Sequence, residues 1–203
     1  KVSAMKIDLR EVPIYWATIE KNKERHGKMY RMFERLGFKE LHKLNGPIAD
    51  PYTVGIAETH IRGLSNDLPL LMMEDDCMET EHFVPELEIP DDCDALYLGT
   101  SWFGMLRGVS TFRACISSDF SDVYVRPYNM LGVHAVLYLS EDYRDKAVNL
   151  LGSFKNNPGS FGCDECLAKD MVNNNILAVK KPFFYQNDGH SEEETLRPLN
   201  PYF

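Results

Sequence analysis

No apolar run in this chain approaches the roughly 20 residues needed to cross a bilayer, which argues against a helical membrane span. Its first residues, KVSAMKIDLREVPIYW, lack the apolar core of a secretory signal, so nothing in them marks export. Positive charge is in short supply: 22 Lys and Arg stand against 31 Asp and Glu, a net charge of -9. A protein that grips a phosphate backbone normally shows a basic face, so no nucleic-acid partner is expected. The one local basic cluster, EKNKERHGKMYR, alternates with acids on a predicted helix and reads as a solvated face. Cysteine is scarce and odd in number, five, which does not suit a disulfide framework. Cys163-Asp-Glu-Cys166 spells C-x-x-C, but no second pair stands at zinc-ribbon spacing and no Pro or Trp neighbours it as in redox motifs. Reduced structural thiols and a reducing, cytoplasmic location are the expectation. Internal repeats, low-complexity stretches and flexible linkers are missing too.

What is present is ordinary globular material. With 203 residues, 44% hydrophobic and 26% charged, the chain can bury a core as one domain. VPIYWAT (Val12 to Thr18) is a short β-prone run. In NKERHGKMYRMFERLGF the residues Met29, Met32, Phe33 and Leu36 recur at helical spacing, with Gly37 as a C-cap. VGIAETHIRGL reads as a second helix, Leu68 to Met73 as a buried strand and DALYLGT as another. That rhythm predicts an α/β sheet with mostly parallel central strands. STFRACISS and DVYVRPYNM, joined by a Ser/Asp turn, predict a small antiparallel hairpin. GVHAVLYLS predicts a strand, SEDYRDKAVNLL a helix capped by Ser140, CDECLAKDMVNN a helix and ILAVKKPFFY the last strand. The tail from Gln186 onward reads as irregular.

Directly after the greasy strand Leu68 to Met73 come three adjacent acids, Glu74-Asp75-Asp76. Adjacent carboxylates repel each other, and an apolar strand has no packing use for them. In open α/β sheets ligands bind outside the carboxyl ends of strands, and hard divalent cations prefer clustered oxygen ligands. The triplet is therefore a candidate metal site, with a solvated acidic turn as the plainer alternative.

Several segments together resemble glycosyltransferase family 25, the lipooligosaccharide and procollagen galactosyltransferase-like family. IYWATIEKNKER places Arg25 at the arginine that follows the family's first strand. Asn45-Gly46 and GIAETHIRGL stand where the family has Asp-Gly and a Gly-to-Ser-His segment, so Gly55 and His60 match while Thr59 replaces serine. LMMEDD resembles the family's acidic strand end, with His82-Phe83 after it. GVHAVLYLS (Gly132, Ala135, Ser140), Cys163-Asp164, and Pro182, Gln186 and Ser191 follow in the family's order. The likeness spans nearly the whole chain. Departures are Asn45, Thr59, and Glu20 in place of the usual Asp after the first strand.

The resemblance implies a GT-A, Rossmann-type domain over 1–203. Residues of about 8–100 would form its nucleotide-sugar-binding half and those of about 101–203 its acceptor half. It implies transfer of galactose or glucose from a UDP-sugar to a hydroxyl on a glycan, lipid-linked or protein acceptor, with inversion. Mn²⁺ or Mg²⁺ held by Glu74 and Asp76, with Asp75 contributing, would absorb charge developing on the leaving diphosphate. His190 is either a third ligand or an exposed tail histidine. Asp164 is either the general base for the acceptor hydroxyl or the N-cap of the following helix. His60 is donor-proximal or packed, and Arg25 binds diphosphate through its planar fork or is a surface charge. Thr18 and Glu20 would flank the nucleoside; Trp102 and Phe103 stack on a base or sugar, or fill core. Two further readings stand beside transfer: an inactive nucleotide-sugar-binding module of the same fold, and a metal-dependent phosphohydrolase. The latter wants more acids and histidines around the site than the chain offers.

Overall fold

Ile14 to Thr18 carries apolar side chains in both directions, the pattern of a strand covered on both faces. In the structure, a computed structural model describing residues 3–106, 109–111, 115–158 and 162–201, that strand lies inside a nine-stranded sheet. The chain runs β1 (Ala4–Asp8), β2 (Ile14–Thr18), α1 (Lys23–Leu36), β3 (Leu41–Asn45), α2 (Tyr52–Leu64), β4 (Leu70–Glu74) and β5 (Cys77–Glu79). It continues through β6 (Glu86–Pro90), β7 (Ala95–Tyr97), β8 (Gly104–Leu106), β9 (Val109–Thr111), β10 (Cys115–Asp119), β11 (Tyr124–Pro127) and β12 (Ala135–Tyr138). The last elements are α3 (Glu141–Asn156), α4 (Asp164–Asp170), β13 (Ile176–Val179), β14 (Phe184–Gln186), α5 (Glu192–Thr195) and β15 (Asn200–Pro201).

The large sheet has the order β15-β10-β11-β13-β7-β12-β4-β2-β3. Its pairings are half parallel and half antiparallel, because β11 and β12 run against the other strands. The expected mostly parallel sheet is thus a mixed one, with parallel neighbours concentrated where β4, β2 and β3 lie side by side. The hairpin expected around the Ser/Asp turn exists as β10 and β11, but it extends the main sheet instead of standing apart. Phe112 to Ala114 of that stretch, and Gly159 to Phe161 ahead of Asp164, lie outside the described residues. Small two-stranded pairs, β1 with β6 and β5 with β14, add to the periphery.

Alternation along the strands feeds two cores. Ile14, Trp16, Leu71 and Met73 pack with Met29, Met32 and Phe33 of α1 on one face. Leu70, Met72, Val136 and Tyr138 pack with Leu64 of α2, Tyr143 and Leu151 of α3 and Leu167 of α4 on the other. The helix signals act as expected. Gly37 adopts the left-handed conformation at φ 81° and closes α1 by donating to Phe33 and Glu34 carbonyls, while Ser140 Oγ accepts the Tyr143 N–H to start α3. ILAVKKPFFY is not one strand: Lys180 to Phe183 intervene, and β13 and β14 belong to different sheets. The tail is more ordered than expected, since Ser191 and Glu194 form a reciprocal capping box on α5. Cys77, Cys93, Cys163 and Cys166 are free thiols, and burial pushes Cys93 up to about 12 and Cys166 up to about 11, so both stay protonated. Among the described residues no helix is long and apolar enough to cross a membrane.

Candidate functional site

Three parallel strands, β2, β4 and β3, end on the same side, and the segments leaving them surround a cavity of about 480 Å³. That volume falls in the roughly 300–1,000 Å³ range of small-molecule sites. Thr18 and Ile19 come from the end of β2, Gly46 to Ala49 from the end of β3, and Glu74 to Asp76 from the end of β4. Tyr52, Gly55, Ile56 and Thr59 of α2 line it as well, with Lys21, Asn22 and Arg25 near the start of α1 and Gln186 and Asp188 after β14. The loop after β3 sits tight on α2. A Cβ on Gly46 would stand 2.2 Å from Thr59 Oγ1 and one on Gly55 2.4 Å from the Pro47 carbonyl oxygen, so both positions need glycine.

The acidic triplet divides into three environments. Asp75 is buried and saturated: it accepts from Thr18 Oγ1 at 2.5 Å, Asn22 Nδ2 at 3.0 Å and Arg25 Nη1 at 2.7 Å. His26 Nε2 lies 2.9 Å behind on Thr18 Oγ1. Glu74 meets His60 Nε2 at 3.2 Å from one side and Gln186 Nε2 at 3.3 Å from the other. Asp76 accepts a long bond from the same Gln186 nitrogen at 3.4 Å, while its Oδ1 is buried with no partner. Burial, then the neighbouring Glu74 and Asp75 charges, push the Asp76 carboxyl up to about 7.

Of the residues singled out in the sequence, Thr18, Arg25, Glu74, Asp75 and Asp76 meet at this cavity. Arg25 is already engaged, since its other arm pairs with Asp188. His60 lies behind the wall, 1% exposed, where it positions Glu74 without lining the cavity. Glu20 does not enter: it is exposed and paired with Lys23 and, at 3.7 Å, with Lys43. His190 is placed elsewhere, beside Phe103 at a ring distance of 5.3 Å, in a second cavity of about 120 Å³. The two cavities share Gln186 as a wall. Among the described residues no group of three or more His, Cys, Asp or Glu side chains is arranged to hold a metal ion. Glu74 and Asp76 therefore do not form an all-protein cage. Their chemistry fits a hard divalent cation such as Mg²⁺ or Mn²⁺ that would take its remaining ligands from elsewhere, because an orphaned Asp76 oxygen beside a second carboxylate is a site in want of positive charge.

Asp164 opens α4 but does not cap it; Cys163 holds the cap position without a side-chain bond. The Asp164 carboxylate instead reaches across the fold and accepts the Gly132 N–H at 2.7 Å. Burial raises its pKa against the pull of that N–H, and the Glu74 charge raises it further. Asp164 is absent from the walls of both cavities.

Nothing in the chemistry of Tyr52, Asn22, Gln186 or Asp188 taken singly points to this cavity, which they line. One signal was available for the first of them: Asn45-Gly46-Pro47 is a chain break at a strand end, and the rule that marked Glu74 applies there equally.

No protein-family model matches the chain, and no curated protein matches it. Among solved structures it is similar to the CTP:phosphocholine cytidylyltransferase LicC from Streptococcus pneumoniae, at 10% identity and a TM-score of 0.43, over 91% of this chain and 75% of that one. A likeness of that size carries no argument about activity, so the resemblance to glycosyltransferase family 25 rests on the motif residues alone.

Proposed function

We propose that the chain is a metal-dependent glycosyltransferase that moves galactose or glucose from a UDP-sugar to a hydroxyl acceptor with inversion. The observation that carries this is the unpartnered buried oxygen of Asp76 beside Glu74, at the mouth of a nucleotide-sized cavity outside the ends of parallel strands. In this reading Glu74 and Asp76 hold Mn²⁺ or Mg²⁺, which when bound neutralises charge on the departing diphosphate. His60 and Gln186 fix the orientation of Glu74. Tyr52 and Ile48, 73% and 81% exposed on the cavity rim, offer apolar surface to the nucleobase. Arg25 turns one arm to the diphosphate once Asp188 yields it, while Asp75 keeps the other in place. Asp164, with its pKa raised by burial, accepts the proton of the acceptor hydroxyl.

One observation favours the alternative of an inactive nucleotide-sugar-binding module: Asp164 lines neither cavity. The two separate in one assay. Protein, Mn²⁺ and a panel of nucleotide-sugars are mixed and nucleoside diphosphate release is followed, with UDP binding measured alongside by calorimetry. Release from a UDP-hexose supports transfer, whereas tight UDP binding without release supports the module. Asp76→Ala is expected to abolish transfer and to remove the Mn²⁺ dependence of UDP binding. Equal UDP affinity with and without metal in the unsubstituted protein would overturn the metal site.

A further inference from the structure

We infer that the second cavity is an acceptor pocket that takes a neutral saccharide ring. This rests on the donor reading of the larger cavity only for the word acceptor; the ligand class follows from the pocket itself. Its volume of about 120 Å³ holds roughly four waters at about 30 Å³ each, too little for a nucleotide and enough to seat one edge of a sugar. At its floor lies His134, 2% exposed, with neither ring nitrogen in a hydrogen bond. Burial brings the His134 imidazole down to about 4 against the pull of the Glu74 charge, so the ring is neutral; the Phe184 carbonyl lies near it without a bond of normal geometry. Buried polar groups are rarely left so.

The backbone is shaped around that ring. A Cβ on Gly99 would stand 2.0 Å from His134 Nε2, and Gly132, at φ +92°, passes the other side with its Cβ position 3.4 Å from Nδ1. A neutral imidazole offers one donor and one acceptor. A cation would leave its N–H unmatched and an anion its lone pair, whereas hydroxyls both donate and accept. The walls add what a pyranose needs besides hydroxyl partners. Trp102 and Phe103 supply apolar faces for its C–H side; Ser101, Gln186 and His190 supply polar edges, and Glu194, a carboxylate, is a further hydroxyl acceptor that disfavours an anion. Ser101 Oγ accepts from Phe103 N at 3.1 Å and so keeps its own proton free to donate. Gln186, reaching Glu74 and Asp76 through the same wall, sets a ring held here beside the donor end of the larger cavity.

The test is saturation-transfer NMR on the whole protein with methyl glycosides of galactose, glucose and N-acetylglucosamine, each with and without UDP and Mn²⁺. At least one glycoside should show transfer in the unsubstituted protein. His134→Phe, which keeps a ring of similar size, and Trp102→Ala, on the half-buried lip, should each weaken that binding tenfold or more while UDP affinity stays within twofold. Trp102→Ala decides the matter if His134→Phe does not fold. No glycoside signal, or a signal unchanged in the folded variants, overturns the pocket. Absence of UDP binding overturns the donor reading instead, and the glycoside arm without UDP still decides this one.

Discussion

Asp75 and Asp76 are neighbours in the chain, yet the first accepts hydrogen bonds from three side chains and the second keeps a buried oxygen with none. The Asp75 side of the turn faces the start of α1, and its bonds tie the end of β4 to the end of β2 and to Arg25. The Asp76 side faces β14, where one Gln186 amide is shared between two carboxylates. The difference teaches that a run of acids is not one site. One member spends its charge holding the scaffold together, and the next is left for whatever arrives from outside.

Four substitutions test that division. The largest effect is expected on the acceptor side, where Asp164→Asn should cut turnover by roughly 100-fold or more. Asparagine keeps an oxygen to accept the Gly132 N–H and removes a carboxyl whose pKa burial raises, so the melting temperature should not fall and UDP affinity should not move. Full activity in the Asn variant would remove Asp164 from the chemistry and direct the search to Glu165 or Asp170.

Next in size, Asp75→Ala should cost about 2–3 kcal/mol, because it strands the partly buried Arg25 and two other donors. At about 2–4 °C per kcal/mol for a chain of this length, thermal melting should fall by about 4–12 °C, with or without Mn²⁺. An unchanged melting temperature would dissolve the contrast between the two aspartates.

Asp76→Asn should act in the opposite direction when metal is absent. The folded carboxyl titrates at about 7, above the ordinary 3.8, so the folded state binds the extra proton across that window. Stability is therefore lost as pH rises from about 4 to about 7 and stays low above it. The Asn variant carries no such penalty. It should melt a few degrees higher than the parent at pH 8, and the gap should close by pH 4. A gap that is constant with pH would place the Asp76 carboxyl in the ordinary range. The smallest effect belongs to Glu20→Gln, whose pairs with Lys23 and Lys43 lie on the surface where solvent screens them; neither the melting temperature nor UDP affinity should change measurably.

Much of the scaffold was legible because periodicity is local. Met29, Met32 and Phe33 fix the buried face of α1, and Ser140 fixes the start of α3. The acids after Met73 were legible as a site because strand-end geometry is general to parallel sheets. Direction was not legible: Ala135 to Tyr138 carries the same apolar pattern whether it runs with β4 or against it, and it runs against. Nor was partner choice, since Asp75 is matched by residues more than fifty positions earlier and nothing local distinguishes it from Asp76. The capping box at Ser191 and Glu194 was readable in principle but sits in a stretch without an apolar face.

Asn187, Asp188 and Gly189 are exposed, and Gly189 takes a left-handed φ of +79°. This stretch joins Gln186, which walls both cavities, to His190 in the second. Beyond it, the Arg197 guanidinium lies 4.5 Å over the Trp102 ring and Thr195 receives the Thr100 hydroxyl. A protease that nicks such a tip leaves the strands up to β14 in place while freeing the segment that lines the second cavity and carries β15, the edge strand of the large sheet. Digestion rate at this single bond cluster thus becomes a gauge of occupancy, slowed by a ligand in either cavity and slowed most when both are filled.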